Sequence, residues 1–174
     1  MTTMLTRPDR TESADYYFTY IDRVPGDVDV LRVLEEQLPE TLKLLDGISE
    51  ERSLYRYAPG KWSFREALSH INDAERVFTF RALWFARGFE SPLPSFDQDA
   101  ALAAAFAEER PWREHLDEFR AVRAASLALF RSIRDDVWSR RGIASGNPFS
   151  VRALAYITAG HVAHHNALFR ERYL

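Results

Sequence analysis

The sequence predicts an all-α fold, a four-helix bundle in which a long crossover joins the second and third helices. Three observations carry that prediction. Apolar residues recur at spacings of three and four through four long segments, the period of an amphipathic helix. No segment sustains the two-residue alternation of a half-buried strand. The 7 glycines and 8 prolines gather mainly between the periodic segments. The 174 residues read as one domain, 1–174, long enough to bury a core, with residues 1–15 as a flexible N-terminal segment.

The first helix is predicted to start after "PGD", with Asp27 as N-cap and Leu31, Leu34, Leu38, Leu42 and Leu45 as its apolar stripe. Pro39 lies inside that stripe and predicts a kink. The second helix opens on "KWSFREAL", where Ser63 and Glu66 form a capping box and Trp62 is set to staple against Ala67. It runs to about Arg87, where Gly88 offers a stop. Roughly 20 residues then hold one short helical stretch over Ala100–Ala107. Antiparallel neighbours usually need only about 2–8 linking residues. The longer link therefore reads as a crossover that leaves helices two and three parallel. The third helix opens near Pro111, a residue tolerated at the first helical position. Trp112, Leu116, Phe119, Val122, Leu129, Phe130 and Ile133 form its stripe. The fourth is capped by Ser150 and continues almost to Leu174.

Composition narrows the function. A formal charge of −3 with scattered arginines argues against nucleic acid or an anionic membrane as partner. No apolar run approaches the roughly 20 residues of a membrane span. "MTTMLTRPDRTESADYY" lacks the order of a signal peptide, so a cytoplasmic address is expected. With no cysteine in the chain, disulfides, thiolate ligands and cysteine nucleophiles are excluded. Any thiol chemistry must use a small-molecule thiol.

Three of the 5 histidines fall within "AGHVAHHN" (159–166). At 100° per residue, His161 and His165 point into the apolar sector of the fourth helix, while His164 lies at its edge toward solvent. A buried polar group left unpaired costs about 1–3 kcal/mol. One divalent metal would satisfy both inward imidazoles, and an i, i+4 pair is a natural chelate. Hydrogen bonds to a Thr, Tyr or Glu on a facing helix are the alternative. His70 flanks the apolar face of the second helix about two turns from its start, and the crossover brings it level with His161 and His165. His115 lies only one turn into its helix. It is the weaker third ligand and is expected as a solvated histidine at the end of the core.

The stretches "YAPGKWSFREALSHINDAERVFTFRALWFARG" (57–88) and "AGHVAHHNALFRERY" (159–173), with "LPSFDQD" (93–99), resemble the DinB/YfiT-like metal-binding bundles, in particular the DinB-like branch. The likeness spans residues 16–174. It implies an up-down-down-up bundle holding one divalent metal through His70, His161 and His165. Zinc or nickel comes first, with iron or manganese as alternatives, since imidazole suits several of these ions. It also implies a homodimer and a small-molecule substrate. The activities it brings are transfer with a low-molecular-weight thiol of the bacillithiol type, isomerisation, and metal-dependent hydrolysis.

The leading expectation is metal-dependent thiol transfer onto a small electrophile. A metal-dependent hydrolase and a non-catalytic metal-binding stress-response protein are the alternatives. Asp73 is a candidate partner for the free N–H of His70, or else a surface partner of Arg76. Glu75 is a candidate general base or a salt-bridge residue. His164 is a proton shuttle or an exposed side chain. Tyr16, Tyr17, Tyr20 and Tyr57 could cover a pocket mouth, or only pack.

Overall fold

The structure is a computed structural model that describes residues 5–174. A single-turn helix α1 (Phe18–Ile21) precedes α2 (Val30–Leu44), α3 (Phe64–Ala86), the short α4 (Gln98–Ala105), α5 (Trp112–Arg131) and α6 (Val151–Leu168). Helices α2, α3, α5 and α6 form the bundle. Phe64, at the start of α3, packs 5.4 Å from Phe169 and 4.8 Å from Tyr173 beyond the end of α6, so these two helices are antiparallel. Contacts of Phe64 with Trp112, Asn72 with His115 and Glu75 with Arg123 advance in step, so α3 and α5 are parallel. Gln37 with Ala159 and Thr41 with Asn166 do the same for α2 and α6. The order is up-down-down-up, and the crossover carries α4.

Local signals place most ends. Ser63 and Glu66 make the reciprocal capping box of α3, and Ser150 accepts from Ala153 N–H to cap α6. Gly88 follows the end of α3 at φ +80°. The cap of α2 is Asp29, not Asp27: its carboxylate accepts from Leu31 N–H at 3.0 Å, because the first helical residue is Val30. Pro39 lies inside α2. Pro111 stands at the N-cap of α5 rather than its first position. The Trp112 N–H, otherwise orphaned, donates to the Glu50 carboxylate at 3.0 Å.

A small hairpin that the sequence did not predict joins α5 to α6. Strands β1 (Arg141–Ala144) and β2 (Asn147–Ser150) pair antiparallel around Ser145-Gly146. Both turn residues have positive φ, +52° and +72°, which is the two-residue turn that matches strand twist. Leu93 of the crossover bonds alongside β1, from its N–H to Ile143 O at 2.9 Å and from Ser145 N–H to its own carbonyl at 3.1 Å.

Of the N-terminal segment predicted to be flexible, residues 1–4 lie outside the described residues, and several of the rest are docked. Glu12 is buried, accepting from Ser150 at 2.7 Å and pairing with Arg152, and Tyr156 donates to Leu5 O at 2.9 Å. Helix α1 then lies across α6, on the side expected to face solvent, which leaves Ile157 fully buried. Gly160 makes this approach possible: a Cβ there would stand 2.0 Å from the Tyr20 carbonyl oxygen.

One buried polar cluster ties the four bundle helices together. Arg123 donates to both Glu75 oxygens at 2.8 Å, to Leu34 O at 2.8 Å and to Gln37 Oε1 at 3.3 Å. Gln37 in turn donates to Ala159 O at 2.7 Å. Above and below the level of His161 the core divides into two apolar clusters, one with Ile157 and Ala159, the other with Val162 and Phe169. Among the described residues, no helix is long and apolar enough to cross a membrane.

Candidate metal centre

His70 sits in the second turn of α3, and His161 and His165 lie one turn apart on α6. Antiparallel packing brings the three rings to one level, as their depths along the helices predicted. His161 Nε2 lies 3.0 Å from His70 Nε2 and 3.2 Å from His165 Nε2, and one ligand atom from each residue lies within 4.8 Å of the others. All three are buried.

A neutral imidazole nitrogen offers one N–H or one lone pair, never both. His161 Nε2 faces two nitrogens and can make only one good hydrogen bond. Three lone pairs aimed at a shared cation remove that conflict. Nitrogens about 2.0–2.1 Å from an ion stand about 2.9–3.4 Å apart at ordinary coordination angles. The donor set therefore fits a divalent metal, with further coordination positions left for a guest.

Electrostatics agree with that use, because only neutral imidazole ligates. Burial pushes the His70 pKa from 6.5 down to about 4, against a small opposing pull from Asp99. Burial first, and neighbouring histidines second, hold His161 and His165 well below the ordinary value. Metal-free protein should accordingly weaken in mild acid. Below about pH 6.5 the unfolded chain takes up protons that the folded chain refuses, so stability falls with pH until the folded groups titrate. His70 alone is worth on the order of 3 kcal/mol by pH 4. The check is thermal unfolding in chelator from pH 7.5 to 5.5, above the carboxylate range, with His70→Gln showing a shallower pH dependence.

Around the triad, Trp62 lies 4.8 Å from the His70 ring rather than serving only as a staple. Tyr20 and Phe78 meet His161 edge-on at 5.2 and 5.7 Å. His164 is half-buried, edge-on to Tyr20 and His165, so it is neither a triad member nor free on the surface. His115 is fully buried, contrary to expectation, and its Nε2 bonds Ala107 O at 2.9 Å. The reason is the crossover, which folds over the start of α5. Asp73 lies 3.4 Å from Arg76, the surface alternative. Glu75 is taken up by Arg123.

Two chambers open onto the triad. The larger, about 310 Å³, is lined by His70, His165, His164, Trp62, Tyr57 and Leu168, and reaches the surface at exposed Lys61 and Gln98. The smaller, about 100 Å³, meets His70 and His161 and extends along α3 to Arg81 and Ser145. Tyr16 and Tyr20 border both, their hydroxyls 3.0 Å apart. Burial raises the Tyr20 pKa, so its phenol stays protonated. Tyr16, Tyr20 and Tyr57 line the larger chamber, and Tyr17 joins Tyr16 and Tyr20 in the smaller. Arg81, Gln98 and Ser145 were not anticipated; the one sequence signal was the Ser145-Gly146 pair, a turn dipeptide that positions the hairpin tip.

The model of the DinB superfamily matches residues 34–169. The chain belongs to that superfamily. Among solved structures, this DinB-superfamily chain is similar to YfiT from Bacillus subtilis, described as "a probable metal-dependent hydrolase with an unusual four-helix bundle topology". The match has a TM-score of 0.73 and 17% identity, covering 94% of this chain and 89% of YfiT, a likeness of fold. No curated protein matches the sequence.

Proposed function

We propose that this DinB-superfamily protein is a metal-dependent enzyme that transfers a low-molecular-weight thiol of the bacillithiol type onto a small electrophile. In this reading His70, His161 and His165 hold one divalent ion, zinc or nickel before iron or manganese. The observation that carries it is the triad's position between two chambers, one for each reactant. Such an ion, when bound, supplies Lewis acidity and lowers the pKa of a coordinated thiol or water. The chain's residues do the rest. Trp62, Tyr20 and Phe78 fix the imidazole planes. Tyr57, Lys61 and Gln98 border the larger chamber where a polar thiol would lie.

Of the carboxylates the sequence nominates, Asp73 pairs with Arg76 at the surface and Glu75 with Arg123 in the core, while Asp99 lies near enough to pull on His70. Hydrolysis is the second reading, favoured by the description of YfiT. The chambers weigh against metal storage without turnover, since a non-catalytic site has no need of solvent-reaching, polar-rimmed cavities. A homodimer, on the family resemblance, and a cytoplasmic address, on the composition of the sequence, complete the proposal.

The test incubates metal-loaded protein with bacillithiol and monochlorobimane and follows the conjugate by mass spectrometry. Conjugation above the uncatalysed rate, lost on metal removal and in His165→Ala, is expected. Equal rates for wild type and variant would overturn transfer. A panel of esters, amides and lactones run alongside would then decide for hydrolysis.

A further inference from the structure

We infer that Arg81 forms a carboxylate-binding subsite, and that one substrate carries a carboxylate which pairs with Arg81 while its reacting group meets the histidine triad. The inference rests on the metal reading above and adds a substrate class to it.

Three arginines are deeply buried: Arg65, Arg81 and Arg123. Arg65 has Glu50 at 2.5 Å and Arg123 has Glu75 at 2.8 Å. Arg81 is only 3% exposed, yet among the described residues no carboxylate pairs with it. Its bonds go from Nη2 alone, to Ser145 Oγ at 2.9 Å and, weakly, to Pro94 O at 3.4 Å. Among the described residues, Nε and Nη1 have no hydrogen-bond acceptor. A guanidinium stays charged in a protein, and here two neutral oxygens and the Phe149 ring, 5.8 Å away, stand where the other two buried arginines have a carboxylate.

Its position says what the missing counter-ion belongs to. Arg81 lines the smaller chamber, whose other end is formed by His70 and His161. His70 and Arg81 lie eleven residues apart on α3, about 20° apart around the helix and about 16 Å along its axis. Ala74, Phe78 and Tyr17 wall the space between. The hairpin tip completes the device. Ser145 holds positive φ, uncommon for a residue with a Cβ, and its hydroxyl holds Nη2. A chamber of about 100 Å³ suits a compact planar anion, and a carboxylate matches the guanidinium fork.

The test uses the zinc-loaded full chain and the monohydroxamates of succinic, glutaric and adipic acid. Each is compared by calorimetry with its neutral terminal-amide counterpart. The hydroxamate end addresses the metal, and the far end addresses Arg81. At one or more chain lengths the acid should bind at least about tenfold more tightly than the amide, the worth of one charge-assisted pair. Arg81→Gln should erase that preference while binding the amide as wild type does, which also shows that the variant's site is folded. Arg81→Lys, which keeps the charge and loses the fork, should retain part of it, and it carries the test if the glutamine variant does not fold. Equal binding of acid and amide at all three lengths, or a preference that survives in Arg81→Gln, would overturn the subsite and leave the metal reading standing. Failure of both acids and amides to bind wild type would overturn the metal reading and the subsite with it.

Discussion

His161→Ala should leave the protein folded and lower its affinity for divalent metal by more than about 100-fold, beyond the 10–100-fold typical of losing an outer-shell partner. His161 is the central member of the triad, its Nε2 being the atom within 3.2 Å of both other rings. Without it, His70 and His165 retain one donor each, on different helices, and the chelate on α6 is gone. His164→Ala tests the assignment from the other side. His164 is adjacent in sequence, half-buried and imidazole-bearing, but it stands outside the group of convergent nitrogens. Its loss should leave metal content unchanged. Elemental analysis of untagged protein, with competition against a chromogenic chelator, reads both variants. Full occupancy in His161→Ala would remove the triad as the metal centre.

What the sequence revealed of this centre, and what it hid, follows from the range of the forces involved. Periodicity and capping are local, so the four bundle helices, the Ser63 and Ser150 caps and the inward aim of His161 and His165 were legible. His70 became legible because link length constrains topology, and topology sets depth. The hairpin was not, because four-residue strands are too short to show alternation, and the Ser145-Gly146 turn was its only local mark. The wheel for α6 left the edge at His164 toward solvent because amphipathicity assumes one buried face. Gly160 admits α1 to the second face, and a glycine in a helix does not announce what will lie against it. His115 was misread for a similar reason, since its burial depends on where the crossover folds back. Arg81 is legible only from coordinates, because an arginine lacking a counter-ion is a statement about every other residue in the fold.

Arg123→Met should destabilise the protein by about 3–5 kcal/mol, the usual cost of stranding one member of a buried ion pair. Arg123 and Glu75 side chains are 0% and 1% exposed, so water cannot replace the lost partner. The substitution also removes the donors to Leu34 O and Gln37 Oε1, freeing the contact through which α2 holds Ala159, two residues before His161. Glu75→Met combined with Arg123→Met should recover most of the loss, because taking both charges out of an apolar site removes the desolvation penalty along with the attraction. Urea unfolding of wild type, the Arg123 variant and the double variant measures the difference. A single-variant loss below about 1 kcal/mol would mean that the pair is solvated in practice. A double variant as unstable as the single would mean that the hydrogen bonds to α2, rather than charge compensation, hold the bundle at this level. In that case Gln37→Ala should reproduce the defect without touching either charge.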